Sequence, residues 1–127
     1  MGLLLDGDAD RASVVDERGE LLPARVLVPM LLGNLVMSHG AHGRVVTTLT
    51  CSACIGREAA RLGCETTPVP VGFARIYRET LDADVIMGVE EYGGVCIPSH
   101  LRERDGPCWC ACLQWRCSRA PGRPSLR

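Results

Sequence analysis

The sequence predicts an α/β fold in which mixed sheets pack against helices as α/β sandwich units. The first observation is that strand-like and helix-like segments alternate after residue 44, an order typical of α/β sandwiches. The second is the apolar segment 84–89, which has the length and composition of a buried strand. The third is a pair of short apolar segments, 2–5 and 12–16, on either side of a loop rich in aspartate.

Two strands, a turn and one helix are predicted for the first 42 residues. The strands are the two apolar segments, and a charged turn over 16–20 follows them. Pro23 suits the start of a helix over 25–38, which is apolar nearly all round and should therefore be buried. The segment 39–43, rich in glycine and histidine, is expected to be a linker with solvated histidines.

A second unit is expected to begin at Arg44. Its elements alternate between strands and helices: a strand over 45–49, a helix over 52–62, an edge strand over 65–71, a helix over 73–81, the buried strand over 84–89 and a hairpin partner over 95–98. Pro68 and Pro70 restrict the third of these elements to a sheet edge, because proline has no N–H to donate to a neighbouring strand.

Composition indicates a globular cytoplasmic protein. The chain has 127 residues, 46% of them hydrophobic and 23% charged, which is enough for a core without disulfide bonds. A net charge of -1 gives no electrostatic reason to expect nucleic acid or an anionic membrane as a partner. The longest apolar stretch, 26–37, is too short to span a bilayer, and no signal peptide is expected.

Three carboxylates at alternate positions form the first candidate site. Asp6, Asp8 and Asp10 follow a predicted strand, and a tight loop there can converge them on one point. Converging carboxylates repel one another unless a cation lies between them, and Mg²⁺ prefers such oxygen ligands. Arg11 adds a guanidinium suited to a phosphate or a carboxylate.

Two other interpretations of this loop remain open. Asp and Gly are also common in turns that bind nothing. The three aspartates match positions 1, 3 and 5 of an EF-hand calcium loop, and Glu17 falls at position 12. Against calcium, Arg11 occupies the position that needs glycine, and the flanking segments are strands, whereas an EF-hand loop lies between helices.

The second candidate site follows the buried strand 84–89. Glu90 and Glu91 come directly after it, and Gly93 and Gly94 complete the segment. In α/β sheets ligands bind outside strand ends, and glycines let a ligand approach the backbone closely. The alternative is an ordinary hairpin turn with exposed glutamates.

Eight cysteines raise the question of a zinc site. Cys51 and Cys54 form the single CxxC pair, whereas a zinc ribbon needs two such pairs. Four further cysteines lie in the last 21 residues (107–127) together with both tryptophans. The sequence therefore argues against a zinc ribbon.

Taken together, the motifs resemble those of the α-D-phosphohexomutases, the family of phosphoglucomutases and phosphomannomutases. Four segments agree with the family in order and spacing: 6–19, 70–73, 88–94 and 100–106. The resemblance implies the end of domain two over 1–42 and domain three over 43–106, in a truncated form of a four-domain enzyme. The tail 107–127 departs from the family, suggests an altered reading frame and is expected to be disordered.

The same resemblance implies the roles of the candidate residues. Asp6, Asp8 and Asp10 would bind Mg²⁺, with Arg11 as a neighbouring charge, and Glu90 would accept hydrogen bonds from a sugar. The implied ligand is a hexose phosphate or hexose bisphosphate. The implied reaction is a Mg²⁺-dependent phosphoryl transfer that interconverts hexose 1- and 6-phosphates.

Departures from the family limit what the chain should do alone. The phosphoserine loop of domain one and the phosphate-binding loop of domain four do not occur, so no catalytic residue is assigned and the chain is expected to be inactive alone. Tyr92 replaces a serine that contacts the sugar, and Ala74 replaces a lysine that Arg75 could partly substitute. Two alternatives are a non-catalytic module that binds Mg²⁺ or a sugar phosphate, and a zinc interaction domain that joins Cys51, Cys54 and two tail cysteines.

Overall fold

The N-terminal part of the chain forms a small antiparallel sheet. The structure, a computed structural model, describes residues 2–7 and 12–99. In this sheet β1 (Gly2–Leu5) pairs with β2 (Ala12–Val15), which pairs with β3 (Leu21–Leu22). The leucines of β1 are exposed. The two strands and the turn predicted at the start of the chain are thereby confirmed.

The apolar helix predicted after Pro23 is also present. α1 (Ala24–His39) buries a stripe of leucine and valine side chains and continues through Pro29. It ends at Gly40, which is in the left-handed conformation and donates its N–H to the carbonyl of Val36 at 3.1 Å. The helix therefore includes His39, which the sequence had placed in the linker.

A four-stranded mixed sheet forms the rest of the fold. Its strands are β4 (Arg44–Thr48), β5 (Glu65–Val69), β6 (Val85–Val89) and β7 (Val95–Cys96). Their order is β5-β4-β6-β7, with β4 parallel to both β5 and β6, and β7 antiparallel to β6. The mixed α/β class is confirmed, and β5, which carries Pro68, lies at the predicted edge.

Helices cover both faces of this sheet. α1 and α2 (Ala53–Arg61) share one core cluster with Val45 and Met87. α3 (Phe73–Glu79) forms a second cluster with Val46 on the other face. The adjacent valines point to opposite faces because side chains alternate along a strand.

One core cluster joins the N-terminal elements to the larger sheet. Val14 of β2 and Leu31 of α1 belong to the same cluster as Val45 and Ile55. The division at residues 42 and 43 stays a prediction, and so does the tail 107–127, which lies outside the described residues together with His100. Among the described helices none has both the length and the apolar character needed to cross a bilayer.

Arg44 links the N-terminal end of β4 to the end of α3 and the segment after it through ion pairs. The Arg44 guanidinium contacts Glu79, Asp82 and Asp84 at 2.8, 2.9 and 2.9 Å, and its side chain is only 15% exposed. These acids follow or end α3, so the arginine joins that helix to the sheet. This end lies opposite the strand ends at which the glutamates occur.

Candidate functional site

The candidate site lies where the parallel strands β4 and β6 end. Thr47 is paired with Val89, so Thr48 and Glu90 leave the sheet side by side. The chain then forms two adjacent loops, 49–52 before α2 and 90–94 before β7. Ligands of α/β proteins bind outside this edge of a sheet.

The loop after β6 is a tight hairpin turn. The Glu90 N–H donates to the carbonyl of Gly94 at 2.8 Å, and the Gly93 N–H donates to the carbonyl of Glu90 at 3.2 Å. A Cβ atom on Gly94 would lie 3.2 Å from the Glu90 carboxylate and 3.8 Å from the Phe73 ring. Glycine at this position therefore leaves room for the Glu90 side chain.

Glu91 is held by two hydroxyl groups of the neighbouring loop. The Thr48 hydroxyl donates to the Glu91 carboxylate at 2.8 Å, and the Thr50 hydroxyl lies 3.1 Å from that of Thr48. Hydrogen bonds from Thr50, from the backbone N–H of Glu91 and from Thr48 lower the pKa of Glu91. The carboxylate is therefore charged at neutral pH and fixed in place.

Both glutamates border a cleft of about 250 Å³. Its lining comes from the start of α1, the β4–α2 connection and the loop after β6: Pro23, Ala24, Arg25, Thr50, Ser52, Ile55, Glu90 and Glu91. The cleft combines carboxylates and hydroxyls, which can bind hydroxyl groups, with one guanidinium, which can bind an anion. Such a combination suits a ligand that carries both hydroxyl and acidic groups.

Of the first candidate site the structure describes only Asp6. Asp6 is half-buried directly after β1, whereas Asp8, Asp10 and Arg11 lie outside the described residues. Because Leu22 pairs with Val14, the chain beyond β3 runs towards Ala12. Leu5 pairs with Ala12, so Asp6 lies at this end of the small sheet. Pro23 and Arg25, which line the cleft, follow β3 at the same end.

The other predicted binding residues are less closely placed. Tyr92 is 73% exposed and does not line the cleft. Arg75 is exposed in the first turn of α3, where its N–H donates to the carbonyl of Gly72 at 2.9 Å. The structure thus brings together Glu90 and Glu91 at the cleft, with Tyr92 and Arg75 outside its lining.

Sequence reasoning missed the partners of the glutamates. Thr48, Thr50 and Arg25 are not part of any motif that the sequence singles out. A usable signal was the polar pair of threonines at the end of a predicted strand, because parallel strands end at one edge of the sheet. No comparable sequence signal indicates Arg25, since its position beside the cleft depends on how α1 packs.

The two cysteines of the CxxC segment differ in environment. Cys51 is half-buried, and its thiol donates to the Val89 carbonyl at 3.4 Å. Cys54 lies in the first turn of α2, and Arg57 donates to its sulfur at 3.1 Å. Within residues 2–7 and 12–99 no three His, Cys, Asp or Glu side chains form a metal-binding group. The zinc alternative depends on tail cysteines beyond that part of the chain.

Comparisons of the sequence with a family model and with known proteins agree on one family. Residues 27–120 match the family model for phosphoglucomutase/phosphomannomutase, alpha/beta/alpha domain III. The phosphoglucomutase/phosphomannomutase of Thermococcus kodakarensis is 33% identical over 105 residues, which are 83% of this chain and 23% of that protein. The phosphoglucosamine mutase of Carboxydothermus hydrogenoformans is 31% identical over 108 residues, 84% of this chain and 24% of that protein.

Solved structures show the same likeness. A Thermus thermophilus protein assigned to the phosphomannomutases superposes with a TM-score of 0.76 at 38% identity, over 87% of this chain and 25% of that one. A Burkholderia thailandensis protein of the phosphoglucomutase/phosphomannomutase family has the same fold, with a TM-score of 0.74 at 20% identity over 88% of this chain and 24% of that one. The chain therefore belongs to the phosphoglucomutase/phosphomannomutase family and spans about a quarter of the length of the relatives that it matches.

Proposed function

We propose that this chain is the part of a phosphohexomutase that binds the sugar of a hexose phosphate or hexose bisphosphate. The observation that carries the proposal is the position of Glu90 and Glu91 beside the cleft at the ends of β4 and β6. Membership of a family whose members are named as phosphoglucomutases, phosphomannomutases and phosphoglucosamine mutases supports a sugar phosphate as the ligand.

The chemistry of the cleft fits each part of such a ligand. Carboxylates accept hydrogen bonds from sugar hydroxyls, and Glu91 is already oriented by Thr48. Arg25 supplies a positive charge across the same cleft, suited to a phosphate oxygen. Tyr92 and Arg75 do not line the cleft, and their contacts with the sugar stay a prediction.

We further propose that Asp6, Asp8 and Asp10 bind Mg²⁺ near this cleft, with Arg11 beside the ion. Carboxylate oxygens are the ligands that Mg²⁺ prefers, and Asp6 lies at the end of the small sheet that leads to the cleft. When bound, Mg²⁺ would neutralise charge on a phosphoryl group. The chain's own residues would bind and orient the sugar, and Arg11 would add a second positive charge.

The isolated chain is proposed to bind without turnover. It lacks the family's phosphoserine loop and its phosphate-binding loop, and it spans about a quarter of its relatives. A hexose 1-phosphate incubated with the isolated chain and Mg²⁺ should therefore not be converted to the 6-phosphate, and conversion above a no-protein control would overturn this part of the proposal.

Sugar binding can be tested by calorimetric titration with glucose 6-phosphate. Saturable binding should be lost or much weakened in Glu90→Gln. Both carboxylate oxygens of glutamate accept hydrogen bonds from hydroxyl groups, whereas the amide nitrogen of glutamine only donates. Glu17→Gln, which changes an exposed glutamate in the turn after β2, is the matched control and should bind as the parent does. Equal binding by both variants would contradict the assignment of Glu90.

Metal binding needs a separate titration. Mg²⁺ should bind saturably to the parent chain, and Asp8→Asn should remove the binding because one charged ligand is lost. Glu65→Gln, at an exposed position on β5, serves as the control, since Glu17 is itself a ligand in the calcium-loop interpretation. Absence of Mg²⁺ binding in the parent would overturn the metal proposal while leaving the sugar titration to decide the rest.

A further inference from the structure

The CxxC segment at the start of α2 has no part in the proposed function. Cys51 precedes the N-cap residue Ser52, and Cys54 is the second residue of the helix, so the motif spans the helix N-terminus. Two thiols at this spacing and place can exchange with a disulfide, because the N-terminus of a helix stabilises a thiolate. The structure holds both cysteines as free thiols.

Cys54 has the surroundings of an attacking thiol. Arg57 donates to its sulfur at 3.1 Å, and the residue is partly accessible to solvent. The Ser52 hydroxyl, followed by the charges of Arg57 and Arg25, lowers the pKa of Cys54. A thiolate that is both stabilised and accessible can reach an external disulfide.

Cys51 has the opposite surroundings. Its sulfur lies 3.3 Å from the Thr48 hydroxyl and donates to the Val89 carbonyl at 3.4 Å. Burial raises the pKa of Cys51, and the nearby charges of Glu91 and Glu90 act in the same direction. Cys51 is therefore a poor first nucleophile, and its place three residues before Cys54 is the CxxC spacing at which a second thiol can resolve a mixed disulfide.

We propose that Cys51 and Cys54 are a thiol–disulfide couple in which Cys54 attacks and Cys51 resolves. The oxidant is a small disulfide of the glutathione class. The Cys54 thiolate attacks one of its sulfurs, a mixed disulfide forms, and the first small thiolate leaves and takes a proton from water. Cys51 then loses its proton to water and attacks the Cys54 sulfur, which expels the second thiolate. Two protein thiols are thus oxidised by two electrons as the small disulfide is reduced to two thiols.

Oxidation of Cys51 and Cys54 should alter hydrogen bonds at the ends of β4 and β6. Closing the bond removes the S–H group with which Cys51 contacts the Val89 carbonyl, one residue before Glu90. It also changes the neighbour of the Thr48 hydroxyl, which binds Glu91. The couple itself does not depend on the proposed sugar-binding function, and the experiment below does not use a sugar.

The test uses the full chain with its four tail cysteines, Cys108, Cys110, Cys112 and Cys117, changed to serine so that they cannot compete. Oxidised glutathione is added, and the products are mapped by proteolysis and mass spectrometry. We expect a disulfide between Cys51 and Cys54, with Cys64 and Cys96 unmodified because both are buried. Absence of that disulfide, or a mixed disulfide that persists on the parent, would overturn the proposal.

Single variants assign the two roles. In Cys51→Ser the glutathione mixed disulfide should remain on Cys54, because the resolving thiol is missing. At pH 7 the reaction of Cys51 with oxidised glutathione in Cys54→Ser should be about tenfold or more slower than that of Cys54 in Cys51→Ser, because a half-buried thiol of raised pKa then replaces a stabilised thiolate. Equal rates at the two cysteines would contradict the order of attack. Circular dichroism of each variant shows whether the fold is retained. Arg57→Gln leaves both thiols in place but removes the charge beside the Cys54 sulfur, so it should also slow the reaction at Cys54.

Discussion

The hydroxyl of Thr48 donates a 2.8 Å hydrogen bond to the carboxylate of Glu91 and so joins the end of β4 to the loop after β6. The two residues are 43 positions apart in sequence. Thr48 is only 2% exposed, so its hydroxyl has little access to water as a substitute partner. The contact fixes the glutamate side of the cleft to the strand beneath it.

Thr48→Val should lower the free energy of unfolding by about 1–2 kcal/mol, because an isosteric methyl group removes a buried donor to a charged acceptor. Urea unfolding followed by circular dichroism measures the loss. Thr47→Val is the matched control, since Thr47 is the preceding residue on the same strand and faces the other side of the sheet. The assignment fails if both substitutions cost the same.

Acid should weaken the same contact. The folded-state pKa of Glu91 lies below its ordinary value of 4.5, chiefly because the Thr50 side chain hydrogen-bonds to the carboxylate. The stability that this carboxylate contributes is therefore complete above pH 4.5 and is lost as the pH falls through the lower, folded-state pKa. Glu91→Gln should make the urea midpoint less dependent on pH below that value. An unchanged acid dependence in Glu91→Gln would remove this explanation.

The planar shape of the Arg44 guanidinium should contribute more to the stability of the fold than its charge does. Lysine keeps the charge but cannot reach Glu79, Asp82 and Asp84 with one planar group. We expect Arg44→Lys to cost about 1–2 kcal/mol, less than the loss of a fully buried pair because the three acids are partly exposed.

Arg61→Lys is the control for that substitution. Arg61 is 60% exposed and pairs with Glu58 within one helix turn, so its replacement should leave the urea midpoint unchanged within error. A similar loss of stability in both variants would show that the network around Arg44 adds nothing specific.

Glycine at position 43 is required by the approach of two chain segments. Its φ is +149°, and a Cβ atom there would collide with the carbonyl oxygen of Asp84. Gly43→Ala should therefore cost about 2–4 kcal/mol, because a backbone atom cannot move aside as a flexible side chain can. Thermal unfolding monitored by circular dichroism measures the effect.

Gly56→Ala is the matched control for the glycine at position 43. Gly56 lies within α2, and no atom lies within 4 Å of the position that its Cβ would occupy. Alanine should stabilise the helix by about 0.5–1 kcal/mol. Opposite signs for the two substitutions are expected, and destabilisation by Gly56→Ala would show that the helix is more tightly packed than the structure indicates.

Much of the fold could be predicted from local signals. Apolar segments bounded by turns located the strands, and Pro68 located the edge, because a missing N–H is a property of the residue itself. Helix ends were less accurate. The sequence placed His39 in a linker, but Gly40 closes the helix only after that residue.

The site could be predicted only in part. Glu90 was indicated by its position after a buried strand, which is a local signal. Its neighbours Thr48 and Arg25 depend on which strands pair and on how α1 packs, and these are set by contacts between distant residues. The aspartates at positions 8 and 10 remain predictions, as do the roles of Tyr92 and Arg75.

The two sheets differ in how their outer strands are protected against neighbouring molecules. At the β5 edge, Pro68 cannot donate a hydrogen bond to an incoming strand. In the described part of the chain β1 pairs with β2 alone and exposes Leu3, Leu4 and Leu5. Its free edge and its leucines favour the addition of a further strand. Self-association at high protein concentration should therefore begin at β1 (Gly2–Leu5), so that solubility depends on the strand that precedes the proposed metal loop.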